Sequence, residues 1–90
     1  MTAERVIREV TDICRSCGVR HLSLFGSYAK GTWTKYSDID FIVSGVPDMD
    51  ELEARIDEID TLIKIDLFEY EQCENRFLRE DMDCYGRKIY

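Results

Sequence analysis

Three short runs, HLSLF (21–25), IDFIV (39–43) and LIKIDLFEY (62–70), are rich in apolar residues and alternate with stretches whose apolar positions recur every three or four residues. A period of two marks a strand and a period near 3.6 a helix, so the chain must interleave strands with helices. Thr2 can cap a first helix whose stripe is Val6, Val10, Ile13 and Cys17, with Ile7 and Cys14 beside it and Gly18 placed to end it. A short turn or helix follows Gly26-Ser27 and is broken by Gly31. Asp48 and Glu51 make a capping-box-like start to a second helix, with Met49, Leu52, Ile56, Ile59 and Leu62 or Ile63 inward. A third helix is expected from about Glu71 to Met82, with Cys73, Phe77 and Leu78 inward; Gly86 closes it and RKIY adds a short edge strand. The fold class that follows is α/β (α+β), one small mixed β-sheet packed with helices.

Ninety residues leave room for one modest core, so residues 1–90 are read as a single domain. No apolar run approaches the length of a membrane span, and MTAERVIREV has no signal-peptide core, which points to a cytoplasmic protein without a membrane partner. The net charge of −7 is unevenly spread: residues 1–36 hold six basic and three acidic side chains, residues 37–90 six basic and sixteen acidic. That balance argues against direct nucleic-acid binding, which needs a basic face, and favours a cation-dependent site or a basic protein partner. Cys14 and Cys17 form a C-x-x-C, but both fall on an apolar helix stripe, and Cys73 and Cys84 supply no second one. Cys14 and Cys17 therefore read as small hydrophobes in preference to metal ligands.

The triplet D-x-D occurs three times, at Asp38/Asp40, Asp48/Asp50 and Asp81/Asp83. With ten aspartates the bare pattern carries little information, and context separates the copies. Asp48 and Asp50 open a helix, where acids suit the macrodipole, and Asp81 and Asp83 lie near a helix end. Only Asp38 and Asp40 run into an apolar strand, where residues two apart share a face. Two carboxylates side by side repel, and one resists ionisation unless a cation lies between them. Lys30 or Lys35 could serve; a hard divalent ion such as Mg²⁺ serves better.

Asp66 repeats the logic in IKIDLFE, interrupting a strand whose other face is Ile63, Ile65 and Leu67. It reads either as a strand-edge acid paired with a lysine such as Lys64 or as a third carboxylate converging with Asp38 and Asp40. Three such acids are the ligand set of a two-metal phosphoryl- or nucleotidyl-transfer site. Gly26-Ser27, at a strand end before a helical turn, could aim backbone N–H groups and a hydroxyl at phosphate oxygens, or be an ordinary turn with Ser27 as its cap.

The pattern Gly26, Ser27, Ala29, Lys30, Gly31, Ser37, Asp38, Ile39, Asp40, Phe41 and Val43 resembles the minimal nucleotidyltransferases of the DNA polymerase β-like superfamily, including MntA-type antitoxins. The resemblance implies a polymerase β-like nucleotidyltransferase fold over essentially the whole chain. It implies that Asp38, Asp40 and Asp66 are catalytic and hold two Mg²⁺ ions, and that Gly26, Ser27, Lys30 and Ser37 bind the nucleotide. Lys30 stands where such proteins often have arginine, keeping the charge but losing bidentate phosphate contact. The implied reaction is in-line attack on the α-phosphorus of ATP, with AMP transferred and pyrophosphate released, and Asp66 helping to deprotonate the attacking hydroxyl.

Ninety residues leave little room for a separate substrate domain, so the acceptor is expected to be held by the open face of the sheet or by an external partner. Minimal nucleotidyltransferase antitoxins typically pair with a HEPN-type toxin and are thought to transfer AMP to it, so the resemblance implies a hetero-oligomer with such a toxin. Helix residues 48–60, with seven acids and one base, offer a face for that partner or simply a solvated surface. Two other readings stand beside it: a small-molecule, aminoglycoside-like nucleotidyltransferase, and a non-catalytic antitoxin that inhibits by contact.

Overall fold

The computed structural model describes residues 2–34 and 36–90. Its order is α1 (Ala3–Ser16), β1 (His21–Phe25), α2 (Ser27–Lys30), β2 (Ile39–Ser44), α3 (Met49–Asp57), β3 (Ile65–Glu69), a 3₁₀ turn (Tyr70–Gln72), α4 (Arg76–Tyr85) and β4 (Arg87–Lys88). The four strands form one sheet in the order β3-β2-β1-β4. β1 runs antiparallel to both β2 and β4, while β2 and β3 are parallel, so the sheet is mixed as expected. Parallel neighbours need a crossover, and α3 provides it.

Local chemistry sets most boundaries. The Thr2 hydroxyl accepts from the Arg5 amide at 3.2 Å, and Gly18, left-handed at φ 77°, follows the C-cap Cys17. Asp48 caps α3 by accepting from the Glu51 amide at 3.1 Å. Only half of the capping box forms, because the Glu51 carboxylate turns forward to Arg55 at 3.1 Å.

Three elements are shorter than the apolar pattern predicts; the first is α3, which ends at Asp57 and leaves Ile59, Leu62 and Ile63 beyond the helix. α4 starts at Arg76, not Glu71, because the Asn75 side chain accepts from the Phe77 and Leu78 amides at 3.0 and 3.2 Å. The capped helix turns Met82 inward and leaves Phe77 exposed, correcting the expectation that Phe77 is a core residue. β3 starts at Ile65, not Leu62. The Thr61 hydroxyl accepts from the Ile63 amide at 3.1 Å, closing a turn that points Leu62 fully into solvent.

The core lies on one face of the sheet. Leu22, Leu24, Ile39, Phe41 and Val43 pack there against Val6, Val10 and Cys14 of α1 and Leu52 and Ile56 of α3. Each large side chain so buried contributes about 1.5–3 kcal/mol of transfer free energy. Cys14 belongs to this core, and burial, with the Cys17 charge second, pushes its thiol up to about 12. Cys17 and Cys73 are half-buried and Cys84 is exposed.

The opposite face carries Phe25, Asp40, Ile42, Asp66 and Phe68, as strand alternation requires. α4 covers one end of it: Met82 is buried, and Gly86 packs so closely that an added β-carbon would lie 3.2 Å from the Ile42 side chain. The end bearing the two aspartates is left open. None of the described helices is long and apolar enough to cross a membrane.

Candidate active site

The strand register assembles the site. Phe25, Asp40 and Asp66 stand in one row across β1, β2 and β3, because Phe25 pairs with Asp40 and Asp40 with Asp66. Directly opposite residues project from the same face, so the two carboxylates are neighbours. The Asp66 carboxyl is near enough to Asp40 to raise its pKa both by its charge and by hydrogen bonding to the protonated form. Phe68, one row further on, meets Phe25 edge to face with ring centroids 6.1 Å apart. This aromatic pair forms an apolar floor beside the acids.

Asp40 is the perturbed member. Partial burial raises its pKa first, the charge and hydrogen bond of Asp66 next, and the Asp38 charge after those; Lys64 pulls the other way. The result is a carboxyl lifted from 3.8 to about 6. Burial and like charges both disfavour the ionised form. Lys64 lies 3.9 Å from Asp66, but its side chain is largely exposed, and such a pair neutralises little.

Asp38 sits in the loop one residue before β2 and is exposed. It faces Asp40 closely enough to act on its charge, yet it is not locked into the ladder as the other two are. Among the described residues, no group of three or more His, Cys, Asp or Glu is drawn together closely enough to hold a metal ion. Asp40 and Asp66 thus form a formed pair with Asp38 at its margin, rather than a closed triad. The other two D-x-D copies have separate employment: Asp48 caps α3, and Asp83 accepts from the Tyr70 hydroxyl at 2.9 Å.

Gly26 is tied to the pair by sterics. Its backbone lies at φ 68°, ψ −146°, a region natural to glycine alone, and a β-carbon there would run into the Asp40 carboxylate. Gly26, not Ser27, is therefore the N-cap of α2, and Ser27 is the first helical residue. The Ser27 side chain caps nothing in this helix, which corrects its reading as a possible cap.

The remaining predicted contacts are scattered. The Lys30 ammonium lies 4.9 Å from the centre of the Tyr85 ring, at the end of α4. The Ser37 hydroxyl accepts from the Thr34 amide at 2.9 Å, closing the loop ahead of β2. Lys35 lies outside the described residues. Sequence reasoning missed Phe25 and Phe68, although Phe68 stands two residues after Asp66 and so shares its face.

Three likenesses bear on this geometry. Over 53 residues the chain is 38% identical to the "Putative protein adenylyltransferase MJ0604" of Methanocaldococcus jannaschii, an alignment covering 56% of this chain and 53% of that protein. The chain thus spans about half the length of that curated relative. The fold superimposes on a crystal structure of a toxin–antitoxin with AMP-PNP at a TM-score of 0.68 and 22% identity, covering 99% of this chain and 73% of that one. It also matches a mutant of the toxin–antitoxin MntA–HpeT carrying two Asp→Glu changes, at a TM-score of 0.62 and 17% identity, over 100% of this chain and 73% of that one. At such identities these structures establish the shared architecture. The nucleotidyltransferase domain family itself matches residues 7–88, so the strands that bring Asp40 and Asp66 into one row, with the glycine turn against them, are those of a member of the nucleotidyltransferase domain family.

Proposed function

We propose that this chain, acting as one domain over residues 1–90, is a Mg²⁺-dependent nucleotidyltransferase that moves AMP from ATP to a hydroxyl on a partner protein. The observation that carries the reading is the in-register pair Asp40–Asp66, with Asp38 beside it and Gly26 packed against it, in a family of nucleotidyltransferases.

The donor set fits a hard divalent cation. Two neighbouring carboxylates that repel each other when ionised offer that cation oxygen ligands and lose their mutual repulsion on binding it. Asp40 and Asp66 would hold the metal, with Asp38 joining them by turning in from its exposed loop position, and bound Mg²⁺ would neutralise charge on the phosphate oxygens. The chain's own residues supply the rest. Gly26 permits close approach of backbone to a phosphate, and the Ser27 hydroxyl, free of capping duty, is available to an oxygen of the same group. Lys30 would have to leave the Tyr85 ring to reach a triphosphate, which its exposed position allows. Asp66, at the outermost strand, is the carboxylate best placed to accept a proton from an entering hydroxyl. Catalysis of this kind is mostly positioning and charge neutralisation, within reach of a small scaffold.

The partner we propose is a HEPN-type toxin, with this chain as the antitoxin that silences it by AMP transfer in the cytoplasm. The likeness to toxin–antitoxin structures, one solved with AMP-PNP and one altered at two aspartates, supports that choice. The test is to incubate the purified chain with Mg²⁺, α-labelled ATP and the product of an adjacent small helical gene. Label on that protein supports the reading. Label on added aminoglycosides instead would make the chain a small-molecule enzyme. Full neutralisation of the toxin by the Asp38→Asn/Asp40→Asn variant, with no label anywhere, would make it a binding antitoxin.

A further inference from the structure

β3 is the last strand on its side of the sheet, and among the described residues no backbone hydrogen bond is made from its outer edge. The phase of that edge can be worked out. The Ile39 amide donates to the Lys64 carbonyl at 2.9 Å, and Ile39 pairs with Ile65. In a parallel ladder of this phase, Asp66 and Phe68 direct their N–H and C=O groups inward to β2, while Ile65, Leu67 and Glu69 direct theirs outward. A trough of about 290 Å³ runs beside the same edge, with Ile56, Ile65 and Leu67 as its apolar lining and Glu53, Asp57 and Asp66 as its acids.

We infer that this edge is the docking site of the acceptor protein: an extended segment adds to β3 as a further strand, setting a hydroxyl-bearing residue beside Asp66 and a Lys or Arg next to it in the trough. The inference rests on the nucleotidyl-transfer reading above for the fate of the hydroxyl, but not for the docking. On an added strand, the residue alongside Asp66 continues the row Phe25–Asp40–Asp66 and projects from the same face. Its two sequence neighbours project from the opposite face, toward the side on which Ile65 and Leu67 meet Ile56. There Glu53 and Asp57 meet a cationic head while the apolar lining covers an aliphatic stem, which is the chemistry of lysine and arginine. A second copy of this chain suits the edge poorly, because its own edge would bring the same acids against Glu53, Asp57 and Asp66.

Amide hydrogen exchange of the full chain, without nucleotide, tests the docking. The probes are ten-residue peptides centred on Lys-Tyr-Lys or Glu-Tyr-Glu, and the first peptide with alternate backbone amides N-methylated. The Lys-Tyr-Lys peptide at saturation is expected to slow exchange at Ile65, Leu67 and Glu69 by about ten-fold, with no such change from the other two. Equal protection by the Glu-Tyr-Glu or N-methylated peptide would overturn the inference, as would no protection by any. Protection that grows with protein concentration alone would overturn it in favour of a second copy. A separate titration with Mg²⁺ and ATP, followed at the Gly26 and Ser27 amides, reports on the nucleotide reading: edge protection without that response would sink the function and leave the docking site standing.

Discussion

Replacing Asp40 with asparagine should stabilise the protein, and only at neutral and alkaline pH. The folded state lifts the Asp40 carboxyl from 3.8 to about 6, so between those values it holds a proton that the unfolded chain releases. Stability contributed through this group therefore falls as pH rises: the cost of ionising Asp40 is absent below about pH 4 and fully present above about pH 6. A shift of about two units corresponds to roughly 3 kcal/mol for a fully enclosed group. Asp40 is only partly buried and solvent screens it, so about 1–2 kcal/mol is the expected cost. Asparagine keeps the shape, donates to Asp66 without needing a shared proton, and removes the penalty. Urea unfolding followed by Trp33 fluorescence and far-ultraviolet dichroism should show Asp40→Asn more stable than the parent by about 1–2 kcal/mol at about pH 8, and nearly equal at about pH 4. Asparagine at 40 removes both the burial cost and the repulsion of Asp66, so adding Asp66→Asn to Asp40→Asn should gain little more. A variant equally displaced at both pH values, or less stable at the higher one, would refute this account of the pair.

Mg²⁺ should raise the melting temperature of the parent protein at about pH 8, and EDTA should reverse it, because the ion binds acids that only the fold brings together; an unchanged melting temperature would count against a metal site. Gly26→Ala should cost about 1–3 kcal/mol in urea unfolding, since the new methyl meets both a glycine-only backbone region and the Asp40 carboxylate; a neutral result would mean that the turn relaxes freely. Glu71 accepts from the Ser44 hydroxyl and the Gly45 amide, both at 2.9 Å, and although burial opposes them these contacts hold its carboxyl below the usual 4.5. Its contribution is thus present above about pH 4.5 and lost as pH falls through the lowered value, and Glu71→Ala should cost about 1 kcal/mol at about pH 7 and less once pH has fallen below that lowered value. Maleimide should label the exposed Cys84 rapidly and the buried Cys14 only on unfolding; equal rates would contradict the packing of α1.

Much of this architecture was written in local pattern. HLSLF is β1 to the residue, and IDFIV is β2 short of Ser44, because apolar alternation there coincides with burial on one face. The rule that i and i+2 share a face placed Asp66 correctly opposite Ile65 and Leu67. What local pattern could not carry was register. Asp40 and Asp66 meet because α3 returns the chain to pair Ile39 with Ile65, a contact between segments 26 residues apart that no dipeptide announces. The same limit hid the Lys30–Tyr85 contact, which links the turn after β1 to the end of α4. Boundaries failed where a side chain overruled periodicity: Asn75 reset the start of α4, and Thr61 turned Leu62 out of β3. Asp38 marks a third kind of limit. It obeys the spacing of a strand pair with Asp40, yet β2 begins only at Ile39, so the same-face rule does not bind it.

The most direct test of the proposed chemistry compares the parent protein with Asp66→Asn in a single-turnover transfer from α-labelled ATP to the partner protein, with γ-labelled ATP in parallel. The account predicts α-label on the acceptor, no γ-label, and a rate at least about 100-fold lower in the variant, whose fold is checked by its unchanged dichroism. Transfer at the parental rate by Asp66→Asn, or γ-label on the acceptor, would contradict it.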